Sequence, residues 1–96
     1  MANLNVAATI VAKKGKEKEL EQLLRGLVGP SRKDQGCLSY DLHQSLDDPA
    51  VFFFYETWAS QVVLDQHMAA PHFTAYREKS QDLVESMEVK LLKKLS

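Results

Sequence analysis

The chain has a single cysteine, Cys37, among its 96 residues. One thiol cannot close an internal disulfide, so no covalent staple frames the fold. Only 4 glycines and 3 prolines are present, which leaves no low-complexity tail and no flexible linker. Neither sign of charge dominates: 12 basic and 13 acidic residues give a net charge of −1. Without a basic excess, electrostatic capture of nucleic acid is not expected. Long apolar runs are missing too. The stretch from Leu4 to Ala12 is interrupted by Asn5 and Thr9, and a membrane helix needs about 20 apolar residues. No charged segment precedes that run and no small-residue cleavage site follows it. Neither a signal peptide nor a membrane partner is therefore expected, and a cytoplasmic location is. What remains, with 45% hydrophobic residues, suits one globular domain over residues 1–96.

Periodicity organises that domain. Leu4 to Ala12 alternates in part, with Leu4, Val6, Ala8 and Ile10 on one side, and reads as a strand. Lys13-Lys14-Gly15-Lys16 is the turn after it. From Lys16 the period becomes helical: Leu20, Leu23, Leu24, Leu27 and Val28 form one stripe. Gly29-Pro30 is expected to end or kink this helix, with room for a last turn around Ser31 to Asp34 before the break at Gly36. Cys37 to Leu46 alternates again, with Leu38, Tyr40, Leu42 and Leu46 facing one way. A turn over Asp47-Asp48-Pro49 then joins it to a strand from Val51 to Trp58, making a β-hairpin. Ser60 is placed to cap a short helix over Gln61–Met68. Pro71 suits the first position of another helix, with Phe73, Tyr76, Leu83 and Val84 on its buried side. The tail from Met87 to Leu95 suits a last strand, and its lysines also allow a helix. The order β-α-β-β-α-β predicts an α+β, ferredoxin-like domain, with helices on one face of a four-stranded antiparallel sheet.

The third strand is bulky on both sides. Val51, Phe53, Tyr55 and Thr57 alternate with Phe52, Phe54, Glu56 and Trp58. One layer of helices covers one face only, and an aromatic patch on the other is poorly tolerated in water. A homodimer packed sheet to sheet is the expected solution.

Glu56 is the unusual residue, a carboxylate among aromatics that needs a partner if it is buried. His67, on the following helix, is the candidate. A glutamate beside a histidine raises the imidazole pKa and orients one ring nitrogen, leaving the other for a substrate proton. Composition alone leaves open a plainer arrangement, with Glu56 bonded to a backbone N–H or an arginine and His67 satisfied in the core. No metal is expected: His67 and His72 are not at i, i+3 or i+4, and Ala70-Pro71 breaks the helix between them. No glycine-rich phosphate loop and no nucleophile elbow is present, so no cofactor is expected either. Tyr40, Trp58, Phe73 and His72 are candidates to line an apolar pocket for a flat aromatic ligand.

These residues also form a pattern. Lys14-Gly15 is followed by Gly36-Cys37-Leu38-Ser39-Tyr40-Asp41-Leu42, then Asp47-Asp48-Pro49, Glu56-Thr57-Trp58, His67 and Pro71-His72-Phe73. In this the chain resembles the antibiotic biosynthesis monooxygenase family, a quinol-monooxygenase-like group within the dimeric α+β barrel superfamily. The resemblance implies cofactor-independent oxidation of a quinol, phenol or polyketide-like aromatic by O₂. It implies His67 and Glu56 as the catalytic pair, and Trp58, Tyr40, Phe73 and His72 as substrate-binding residues. Haem-degrading members of the superfamily carry an Asn in the first strand, a Trp near the place of His67 and a later haem-ligating His. Ala8, His67 and Arg77 stand at those places here. Two other functions fit the same scaffold. An isomerase of a small phosphorylated metabolite needs arginine or lysine turned into the cavity. A non-catalytic dimeric binding or stress-response module is expected to have a cavity too small for a six-membered ring.

Overall fold

The computed structural model describes residues 3–96. Seven elements follow one another: β1 (Leu4–Ala12), α1 (Glu17–Arg32), β2 (Cys37–Gln44), β3 (Val51–Trp58), α2 (Gln61–Ala69), α3 (Pro71–Ser80) and β4 (Val84–Leu92). The strands form one antiparallel sheet in the order β2-β3-β1-β4. This is the ferredoxin-like α+β arrangement, with its second helical region split in two.

The core lies between α1 and one face of the sheet. Leu20, Leu24 and Leu27 repeat at helical spacing and are sealed against Val6, Ile10, Phe52 and Phe54. Full burial of each such side chain stabilises the fold by about 1.5–3 kcal/mol. Register places Val6, Ala8 and Ile10 opposite Glu56, Phe54 and Phe52 on one side and Leu91, Val89 and Met87 on the other. All nine therefore share the helix-side face. The helices stop short of β4, so Met87, Val89 and Leu91 remain 61%, 50% and 52% exposed.

Several boundaries differ from the sequence reading. The first helix runs through Pro30 to Arg32. Pro30 stands in the last turn, and the chain closes there with tighter bonds, from Lys33 N–H to the Pro30 carbonyl and from Asp34 N–H to the Ser31 carbonyl, both 3.1 Å. The last strand begins at Val84 and ends at Leu92, so Val84 belongs to it and not to α3. Leu83 is buried in the turn before it. Leu46 lies beyond β2 and is fully exposed. Leu38 is more than half exposed because the ladder shifts between Cys37 and Ser39. That bulge turns Leu38 away from the face of Tyr40 and Leu42.

Two local features set up the site. Ser60 Oγ accepts the Val63 N–H and starts α2. Gly36 adopts φ +80°, and a β-carbon there would sit 2.6 Å from Val63 Cγ2. Only glycine allows the loop after α1 to lie this close to α2.

Candidate active site: a carboxylate between two histidines

His67 is carried on the last turn of α2 and is 2% exposed. The chain then turns through Ala70, which is extended (φ −69°, ψ 150°), and re-enters a helix at Pro71. Proline's fixed φ suits that first position. The break puts His72 on the first turn of α3, with its ring centroid 5.8 Å from that of His67. Two histidines need i, i+3 or i+4 spacing to act together only on one unbroken helix, and here α2 ends before α3 begins.

Both rings point at Asp34, just beyond α1. His67 Nδ1 lies 2.7 Å from Asp34 Oδ2, and His72 Nε2 lies 2.9 Å from the same oxygen. The carboxylate oxygen accepts, so His67 carries its proton on Nδ1 and presents Nε2 as a lone pair. Among the described residues nothing hydrogen-bonds to that Nε2. Burial lowers the imidazole pKa, outweighing the opposing pull of Asp34. The sequence reading expected a raised value from a neighbouring glutamate. Here burial disfavours the charged ring and so favours the neutral form, the one that accepts a proton.

Glu56 has a different partner. Its Oε1 accepts the indole N–H of Trp58 at 2.9 Å. The two residues lie two apart on a strand and therefore on the same face. No hydrogen bond joins Glu56 to His67 among the described residues. Burial raises the Glu56 pKa to about 7, against the bond from Trp58 that favours the charged form.

A cavity of about 420 Å³ opens between β4, the centre of the sheet, and α2 and α3. Its volume lies in the range of small-molecule sites. Tyr40, Phe54, Phe73, Tyr76, Met87 and Val89 supply much of its wall, and Glu56 and His67 both face it. Trp58 does not line it. That indole is fully buried behind the imidazole, with ring centroids 4.6 Å apart. His72 lies outside the wall as well, with 23% of its side chain exposed. Among the described residues no lysine or arginine lines the cavity. Arg25 and Arg32 border a separate groove with His43 and Gln44, where Glu21 pairs with Arg25 at 2.8 Å and Asp41 with Arg32 at 3.1 Å.

Asp34 is the site residue that sequence reasoning missed. The available signal was its position two residues before Gly36, in a loop that must close on the following helices. Asp34, His67 and His72 also place three donor atoms within 4.8 Å of one another, and these are the described residues that could hold a metal ion. No helix among the described residues is long and apolar enough to cross a membrane.

Comparison with known proteins agrees with this architecture. The uncharacterized protein sll1783 of Synechocystis is 35% identical over 89 residues, which cover 92% of this chain and 60% of that protein. The chain thus spans about 60% of the length of that relative. The crystal structure of PA3566 from Pseudomonas aeruginosa superposes with a TM-score of 0.97 at 35% identity, covering 100% of this chain and 97% of the other. A crystal structure of an antibiotic biosynthesis monooxygenase superposes with a TM-score of 0.91 at 31% identity, covering 97% and 99%. Residues 4–79 match the sequence profile of the family called antibiotic biosynthesis monooxygenase. With the sheet order, the split second helix and this profile in agreement, the chain belongs to the antibiotic biosynthesis monooxygenase family.

Proposed function

We propose that the protein is a monooxygenase that oxidises a quinol, phenol or anthrone-like aromatic with O₂, using its own side chains to generate the reactive anion. One observation carries this reading: an apolar cavity large enough for fused rings has in its wall a neutral imidazole, oriented by Asp34, with its second nitrogen unbonded. His67 Nε2 removes a proton from an acidic C–H or O–H of the ring system. The anion gives an electron to O₂, and the radical pair combines to a peroxide on carbon. The peroxide loses water as the carbonyl forms. For a ring CH₂ the balance is CH₂ plus O₂ giving C=O plus H₂O, so the substrate supplies all the electrons. The low-dielectric walls strengthen whatever polar contacts the anion makes. Glu56, titrating near neutrality on the same wall, is placed to give or take the second proton. Tyr40 and Phe73 pack against the aromatic substrate.

The reading as an isomerase of a phosphorylated metabolite lacks the cations it needs, because the basic groove around Arg25 and Arg32 is already paired with carboxylates. The volume also exceeds what a cavity unable to hold a ring would show. The test is oxygen uptake by chelator-treated protein with a panel of quinols and anthrones. The expected result is one O₂ consumed per carbonyl formed. No uptake above the uncatalysed rate with any of them would overturn the reading.

The same proposal includes a homodimer. On the sheet face away from the helices, Phe53 and Tyr55 stand beside the small residues Ala7 and Thr9, and Tyr55 is 40% exposed. A second copy laid on that face by two-fold symmetry would cover them. Light scattering is expected to give twice the chain's 10.9 kDa, and Tyr55→Asp, which puts a charge in the middle of that face, to give the single-chain mass. A wild-type mass of one chain would refute the dimer.

A further inference from the structure

We infer that Asp34, His67 and His72 form a binding site for a borderline divalent cation of the zinc type, and that such a cation switches off the base. His67 stands at the end of α2 and His72 at the start of α3, while Asp34 lies on the loop just beyond α1, where its N–H donates to the Ser31 carbonyl and its carbonyl accepts the Cys37 N–H, both at 3.1 Å. Two imidazoles and one carboxylate favour zinc, iron, cobalt or copper over magnesium or calcium, which prefer oxygen. His67 Nδ1 and His72 Nε2 approach one oxygen at 2.7 and 2.9 Å. A cation about 2.1 Å from each donor holds neighbouring donors roughly 3.0–3.4 Å apart. Small side-chain rotations separate them by that amount, and the ion then takes the place of the two N–H protons. The remaining carboxylate oxygen, Oδ1, has no hydrogen-bond partner among the described residues. Asp34 and His72 keep 20% and 23% of their side chains exposed, so an ion has a path from solvent, while buried His67 closes the inner side.

Occupancy has a consequence that rests on the oxygenase reading. A cation on His67 Nδ1 leaves the ring's proton on Nε2, the nitrogen that faces the cavity. The lone pair is then gone, and bound zinc acts as an inhibitor.

The test separates the two ideas. Metal-free protein is titrated with Zn²⁺ against a chromophoric chelator, and with Co²⁺ while the visible absorption of the ion is followed. The expected result is one ion per chain with a dissociation constant of about 10 µM or tighter. Asp34→Asn and His72→Gln, both at partly exposed positions, each weaken it by about tenfold or more. His43→Gln, on the far face of the sheet, binds as wild type does. Imidazole ¹⁵N spectra of the zinc-loaded protein show the His67 proton moved from Nδ1 to Nε2. Binding weaker than about 10 µM, or binding unaffected by both Asp34→Asn and His72→Gln, overturns the inference. Either result leaves the oxygen-uptake assay of the chelated protein untouched, and a silent uptake assay leaves the binding measurement untouched.

Discussion

Replacing His67 with glutamine is expected to lower oxygen uptake by about 10²–10⁴-fold, the usual worth of a positioned base. Glutamine keeps most of the side-chain volume, which matters at a position 2% exposed and packed between the tilted rings of Trp58 and Phe73. It cannot accept a substrate proton. The loss should fall on kcat, with KM little changed, because the base acts in the transition state and the apolar walls hold the substrate in either protein. His67→Ala should show the same loss and also a lower unfolding midpoint, since it leaves a void in the core. Turnover of the glutamine variant within about threefold of wild type would remove His67 from the chemistry.

Glu56→Gln is expected to stabilise the fold, and only above acid pH. The folded-state pKa of Glu56 is about 7, raised by burial above an ordinary value of 4.5. At pH values below the ordinary value the group is protonated in both states and adds no penalty. Between the two values the unfolded chain releases its proton while the folded chain holds it, so stability falls as pH rises. Above about 7 both states are ionised and the penalty is constant, at most about 3 kcal/mol for a shift of this size. Glutamine keeps an oxygen for the Trp58 indole N–H and carries no charge to desolvate. Urea unfolding should therefore show the variant and wild type converging at pH 4–5 and the variant ahead by about 2 kcal/mol at pH 8. Parallel pH profiles for the two proteins would show that the carboxylate is not buried as described.

The parts of the fold that were legible in the sequence are those where one period persists and one face is sealed. Leu20, Leu24 and Leu27 mark the inner side of α1 because every third or fourth position is covered by the sheet. Phe52, Phe54, Glu56 and Trp58 alternate through β3 for the same reason. The last strand was harder to place, because Met87, Val89 and Leu91 border an open cavity and their outward neighbours are charged. Pro30 removes one bond of the ladder, and the helix runs only two residues past it to Arg32. Glu56 and Trp58 were both singled out as site residues, and strand geometry alone brings them side by side. Asp34 was hidden for a different reason. It stands in Lys33-Asp34-Gln35, which by composition is a solvated turn, and its role comes only from contacts 33 and 38 residues away.

The hydrogen atom that Gly36 has in place of a side chain acts as a spacer gauge. It sets how far the strand-entry loop can settle towards Val63, and Asp34 rides on that loop two residues earlier. A methyl group there would lift the loop outward and open the contact between acid and ring, although neither Asp34 nor His67 had been changed. Relatives with a bulkier residue at this place should reach the imidazole with a longer acid or from another part of the chain.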